Sequence, residues 1–197
     1  MPFPHIQGAF RESLIADAAQ CVVAEGLSPA QAAMAEPLSV GLHAVRRAGE
    51  MLGRRVLVTG CGPIGVLAIM AARRAGAAEI IACDITDQAL GFATRAGADV
   101  TLNTLSDPEA LAPYSAGKGQ LDVLFECSGA QPALAGGIAA LRPRGVIVQL
   151  GLSGDMSLPM MALTAKELDL RGSFRFHEEF ATASDKSQSM KVQLNFA

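Results

Sequence analysis

The chain has 197 residues, a formal net charge of -3, half its residues apolar and 18% charged, which suits one packed domain with part of a second and excludes a disordered chain. With 5% aromatics and no tryptophan, it offers neither the basic surface nor the base-stacking platform of a nucleic-acid or anionic-membrane binder. Met1-Pro2-Phe3-Pro4-His5 has no charged segment followed by an apolar stretch, so no secretory signal is expected and a cytoplasmic place follows by default. The longest charge-free run, residues 56–72, holds Gly60, Gly62, Pro63 and Gly65, which would break a spanning helix.

Residues 8–23 mix polar and apolar positions in the manner of antiparallel strands. Ser28-Pro29 reads as a cap followed by proline in the first helical turn, and Pro37 starts a second helix that reaches about residue 50. From Gly53 onward, apolar runs alternate with helical patterns. Strands are expected at residues 54–59, 79–84, 99–102, 121–127, 145–150 and 167–172. Helices are expected at 64–75, at 87–96 with Asp87 as cap and Gly97 as stop, and at 131–141, ending before Pro143. Strands that are apolar throughout are buried on both faces, and strands separated by helices form right-handed βαβ units. The expected fold is α/β, a doubly wound parallel sheet of six strands. After Phe174 no complete helical unit is expected, and residues 191–196 alternate like an edge strand.

Gly60-Cys61-Gly62-Pro63-Ile64-Gly65 is a G-x-G-x-x-G run between a strand and a helix. In that context the three glycines play different parts. Gly60 permits the tight turn, Gly62 lets a pyrophosphate approach the backbone, and Gly65 lets helix and strand pack closely. The helix start, at Pro63 and Ile64, offers free amides and a partial positive charge to phosphate. Asp84 ends the second strand 19 residues after Gly65. Its carboxylate can accept both ribose hydroxyls of an adenosine and would repel a 2′-phosphate. Ile85 and Thr86 supply no compensating arginine, so NAD is favoured over NADP. Ser128 and Gly129, after the fourth strand, and Gly151 and Leu152, after the fifth, flank the switch point and are candidate adenosine or nicotinamide contacts, or else plain turn residues. The cysteines, Cys21, Cys61, Cys83 and Cys127, have no zinc-ribbon or CxxC spacing and read as reduced core residues.

The segments Glu36-Pro37-Leu38-Ser39-Val40-Gly41-Leu42-His43-Ala44, Val58-Thr59-Gly60-Cys61-Gly62-Pro63-Ile64-Gly65, Gly97-Ala98-Asp99 and Glu126-Cys127-Ser128-Gly129 closely resemble the sorbitol-dehydrogenase branch of the medium-chain, zinc-type dehydrogenases. Leu170-Arg171-Gly172-Ser173-Phe174-Arg175-Phe176 and Lys191-Val192-Gln193-Leu194 extend that resemblance over nearly the whole chain. It implies a Rossmann domain that binds NAD, and a catalytic zinc between it and a GroES-like domain. The implied reaction is hydride transfer from a secondary alcohol of a polyol or sugar acid. It also implies that Glu36 lies at the zinc, directly or through water, and Arg175 near the substrate. Taken alone, Glu36 is equally a helix-start acid before Pro37, and His43 reads as a packed structural histidine. By the same resemblance, residues 1–36 are a remnant of the GroES-like domain, 37–183 the NAD-binding domain and 184–197 a strand of the catalytic domain. The family's cysteine and histidine zinc ligands have no counterpart here, and a helix and linker are skipped after Ala183. One glutamate cannot hold catalytic zinc, which takes about three protein ligands. Two readings therefore stand: a dehydrogenase present as a fragment inactive by itself and without zinc, or a non-catalytic NAD-binding module. In either case the resemblance implies a homodimer or larger assembly, joined along the sixth strand.

Overall fold

In the computed structural model, which describes residues 12–18 and 21–184, the first regular element is a long helix, α1 (Pro29–Ala48). Ser28 caps it in a reciprocal box: Gln31 N donates to Ser28 Oγ at 3.3 Å and Ser28 N donates to Gln31 Oε1 at 2.9 Å. The helix runs straight through Pro37 instead of starting there. An interior proline removes one backbone donor and costs about 3 kcal/mol. Tertiary packing offsets it, because α1 buries Ala35, Ser39, Gly41, Ala44, Val45 and Ala48. Gly41 lies so close to the next helix that a Cβ there would stand 3.0 Å from the Leu67 backbone.

Strand and helix then alternate as β1 (Arg55–Thr59), α2 (Pro63–Arg74), β2 (Glu79–Asp84), α3 (Asp87–Ala96), β3 (Val100–Asn103), a short α4 (Ala112–Ser115), β4 (Leu121–Glu126), α5 (Gln131–Ala140), β5 (Leu141–Gln149), α6 (Met160–Ala165), β6 (Asp169–Gly172) and α7 (Glu179–Ser184). The six strands form one parallel sheet in the order β3-β2-β1-β4-β5-β6. The order reverses between β1 and β4, which is the switch point of a doubly wound sheet. Alternate residues feed two cores. Val56, Val58, Ile80 and Phe125 pack with Ala44 of α1, Ile69 of α2 and Leu90 of α3. Leu57, Ile81, Leu124 and Ile147 pack on the other face with Leu134 and Ile138 of α5 and Leu163 of α6. Register aligns Asp84 with Asn103, Thr59 with Cys83 and Glu126, and Glu126 with Gln149. The carboxyl ends of the strands therefore form one row.

Several local expectations are corrected. The described residues among 8–23 form no strand, and Leu14, Ile15, Val22 and Val23 are exposed, so their alternation buries nothing. Residues 8–11, 19, 20 and 191–196 lie outside the described residues. The N-cap of α3 is Thr86, not Asp87, and it makes no side-chain cap bond; Asp87 instead accepts Asn103 Nδ2 at 2.6 Å. Gly97 does stop α3, in the left-handed conformation at φ 109°. Strand β5 begins at Leu141, immediately after α5, and passes through the exposed Pro143. A register irregularity against β4 lies between Leu121 and Val123 and leaves the proline outside the regular ladder. Cys21 is exposed rather than in the core, while Cys61 and Cys83 are buried. Among the described residues no helix is long and apolar enough to cross a membrane.

Candidate functional site

The turn from β1 to α2 uses its three glycines in three ways. Gly60 has φ 84°, and a Cβ on it would stand 2.7 Å from Ser128 N. A Cβ on Gly65 would stand 1.9 Å from the Gly60 carbonyl oxygen, so helix and loop touch backbone to backbone. A Cβ on Gly62 would meet nothing within 4 Å. Gly62 is also the N-cap of α2, without a side-chain cap, and no acidic residue lies in the first turn. Gly62 and Pro63 are exposed and Ile64 is half-buried. The helix start thus presents open space and a partial positive charge.

Asp84 borders this loop. Its Oδ2 accepts Cys61 N at 2.7 Å, and its Oδ1 accepts Ile85 N at 2.8 Å, Thr86 N at 3.0 Å and Thr86 Oγ1 at 3.1 Å. One carboxylate joins the glycine loop to the turn after β2 and remains half-exposed. An apolar cavity of about 420 Å³ opens alongside, between Met34 of α1, Pro63 and Val66 of α2, Thr86 at the cap of α3, and Ala89 and Phe92 of α3. Burial, with the nearby Asp84 carboxylate, pushes the Cys61 and Cys83 thiols up to about 12, and burial raises Cys127 as well. These thiols are protonated packing groups at neutral pH.

Across the switch point, the turns after β4 and β5 meet. Gly129 has φ 67°, and a Cβ on Gly151 would stand 2.2 Å from Gly129 N. Leu152 is exposed beside them. Beneath the two turns lies Glu126, wholly buried at the end of β4. It accepts Ser128 N at 2.9 Å, Gly129 N at 3.0 Å, Gln149 Nε2 at 2.6 Å, Thr59 Oγ1 at 3.4 Å, and the Ser128 hydroxyl. Motif reasoning gave Glu126 and Gln149 no role. The available signal was an acid closing an apolar strand immediately before Cys-Ser-Gly.

Residues 63–189 match the family described as zinc-binding dehydrogenase. The chain belongs to that family. It is 43% identical over 189 residues to L-idonate 5-dehydrogenase (NAD(P)(+)) of Escherichia coli strain K12, covering 93% of this chain and 53% of the relative. It is 36% identical over 168 residues to sorbitol dehydrogenase of Macaca fascicularis, covering 83% and 47%. The crystal structure of L-idonate 5-dehydrogenase from Escherichia coli MG1655 superposes with a TM-score of 0.88 at 42% identity, over 93% of this chain and 53% of that one. The chain therefore spans about half the length of the curated relatives it matches.

A zinc-binding dehydrogenase raises the question whether this chain's own residues fit a metal. Glu36 stands exposed in the middle of α1, eight residues after its cap, so it is no helix-start acid. Among the described residues no group of three or more His, Cys, Asp or Glu could hold a metal ion. The described residues by themselves do not fit a catalytic zinc, which takes about three protein ligands. Arg175 lies between β6 and α7 at φ 58°, with its guanidinium 5.1 Å from the Phe174 ring centre. His43 is a packed residue: its Nδ1 lies 3.2 Å from Glu179 Oε1, which also accepts Arg46 Nη1 at 2.9 Å. Burial raises the Glu179 carboxyl, but bonds from the backbone of His177 and Glu179 and from the His43 side chain outweigh it and bring it down to about 2.

Proposed function

We propose that the chain binds NAD across the switch point, as the cofactor half of a dehydrogenase acting on a polyol or sugar acid. The observation that carries this reading is the division of labour among the glycines: Gly60 and Gly65 are closed by backbone contacts and Gly62 alone is open. Pyrophosphate would lie against Gly62, Pro63 and Ile64 at the start of α2, and the adenosine ribose would hydrogen-bond Asp84. The nicotinamide half would then lie on the other side of β1, against Ser128, Gly129, Gly151 and Leu152. Bound nicotinamide supplies the hydride acceptor. The protein's own part is to hold the dinucleotide and fix its two halves on opposite sides of the switch point.

Glu36 is proposed as the acid that faces a family zinc, and Arg175 as a substrate neighbour, only where further residues complete the site. Residues 1–36 and 184–197 are assigned to the catalytic domain and 37–183 to the cofactor domain, although helix α1 continues across the first boundary. By itself the chain is proposed to bind cofactor without turnover, because three zinc ligands do not converge among its described residues. The two halves of this reading are tested separately. Calorimetry should give tighter binding of NAD than of NADP. Asp84→Ala should weaken NAD by about 1.5–3 kcal/mol for each charged hydrogen bond lost. Equal affinity for the two cofactors in the parent chain would reject the assignment of Asp84. The Escherichia coli relative uses NAD(P)(+), which makes that comparison a severe one. Reduction of NAD by polyols or aldonates in a zinc-supplemented assay of this chain would overturn its proposed inactivity.

A further inference from the structure

We propose that Glu126 is a positioning residue that holds the two nicotinamide-side turns, 127–129 and 150–152, at one fixed separation; this rests on the cofactor reading above. The chemistry of the side chain is unusual for its place. It is wholly buried, and its hydrogen-bond donors are neutral: two backbone amides, two hydroxyls and a carboxamide. Burying an acid among neutral donors is a costly way to fill core space. What an acid offers that an amide does not is two oxygens that both accept. Both are used here. Oε1 accepts Ser128 N and Gly129 N, and Oε2 accepts Gln149 Nε2 at 2.6 Å and Gly129 N at 3.1 Å.

Gln149 passes the connection on. The same Nε2 donates to Gly151 O at 3.0 Å. The backbone carbonyl of Glu126 accepts Leu150 N and Gly151 N, each at 2.8 Å. Gly129 and Gly151 are thus clamped through one acid and one amide, with a spacing so tight that a Cβ on Gly151 would stand 2.6 Å from Glu126 Oε2. Among the described residues no hydrogen bond of this network goes to Asp84 or Gly62, and its one contact with the glycine loop is the packing of Ser128 on Gly60, away from the open side of Gly62. The clamp shapes one half of the crevice and leaves the other half to the glycine loop.

That division provides the experiment. Glu126→Gln keeps the shape but turns one acceptor into a donor, which faces either the turn amides or Gln149 Nε2. Calorimetry on the whole chain would compare ADP, which fills the glycine-loop half, with NAD, which fills both halves. Glu126→Gln should bind ADP within about twofold of the parent and NAD about tenfold more weakly. Equal losses for both ligands, or no loss for either, would overturn the positioning role. A parent chain that binds neither ligand would remove the cofactor reading and the proposal with it. If circular dichroism shows that Glu126→Gln does not fold, Gln149→Leu cuts the clamp at its far end and leaves the Ser128 and Gly129 bonds. It should show the same split at about threefold, and no split there would overturn the proposal equally.

Discussion

Gly62 and Gly65 lie three residues apart at the start of α2, one as its cap and one in its first turn, and alanine at each should fail in opposite ways. At Gly65 the new methyl would begin 1.9 Å from the Gly60 carbonyl oxygen, 3.0 Å from its carbon and 3.6 Å from Cys127 Cβ. A methyl and a carbonyl oxygen need roughly 3.4 Å, and both groups sit on backbone that no rotamer change can move. Helix α2 would have to back away from β1, opening a core in which Val58, Ile69 and Phe125 are packed. Overpacking costs about 1–3 kcal/mol in general, and the backbone origin of this clash puts Gly65→Ala at about 3 kcal/mol or above. At Gly62 the backbone has φ -68° and ψ -175°, which alanine adopts freely, and the methyl meets nothing within 4 Å. Stability should therefore stay within about 1 kcal/mol of the parent. The methyl would, however, occupy the space through which pyrophosphate approaches, so NAD affinity should fall about tenfold or more. Urea denaturation and calorimetry on the two variants separate these effects. If Gly62→Ala binds NAD like the parent, the open glycine is not the phosphate cradle. If Gly65→Ala unfolds at the parent's urea midpoint, the close helix–strand contact does not bear on stability.

The Glu179 carboxyl is held at about 2 against an ordinary 4.5, so its contribution to stability is present above pH 4.5 and is lost as pH falls towards 2. Melting temperatures of the parent and Glu179→Gln should converge over that window, and a gap that stays constant would show that the bonds to His43 and Arg46 do not stabilise the fold. Among the described residues strand β6 has no partner on its outer side, with Leu170 and Phe174 exposed there, and an open edge of this kind invites a second copy. Light scattering at tens of micromolar should give a dimer or larger assembly that Leu170→Lys weakens; a monomeric parent would refute the edge-pairing argument.

The elements that could be foreseen are those whose causes are local. Strand β2 and helix α3 have the expected limits because an apolar run of strand length, a following helical pattern and Gly97 are all within reach of one another. The reciprocal cap at Ser28 is likewise contained in four residues. Pro37 misleads because its local cost is offset by the burial of one face of α1, Gly41 against Leu67 included, and those partners become adjacent only on folding. Helix α5 does end before Pro143, but β5 starts at Leu141 rather than at 145, because its ladder tolerates the proline at an irregularity that depends on β4. Residues 12–18 show the reverse error, an alternating pattern whose apolar members bury nothing.

The two acids at the crevice mark where motif reasoning stops. Asp84 and Glu126 each close a strand beside β1; register sets Glu126 level with Thr59 and Cys83, and Asp84 lies one residue further along. Asp84 keeps part of its surface exposed, and the backbone donors that orient it come from the glycine loop and the two residues that follow it. Its spacing from Gly65 therefore suffices to single it out. Glu126 takes bonds from Thr59, 67 residues away and just before the glycine run, and from Gln149, 23 residues away, and no spacing rule ties either of them to it. Only the reversal of strand order between β1 and β4 brings those partners to one carboxylate. A residue that meets a ligand directly can be recognised by its spacing from other such residues. One that holds the turns beneath a ligand becomes visible only once the strands are in order.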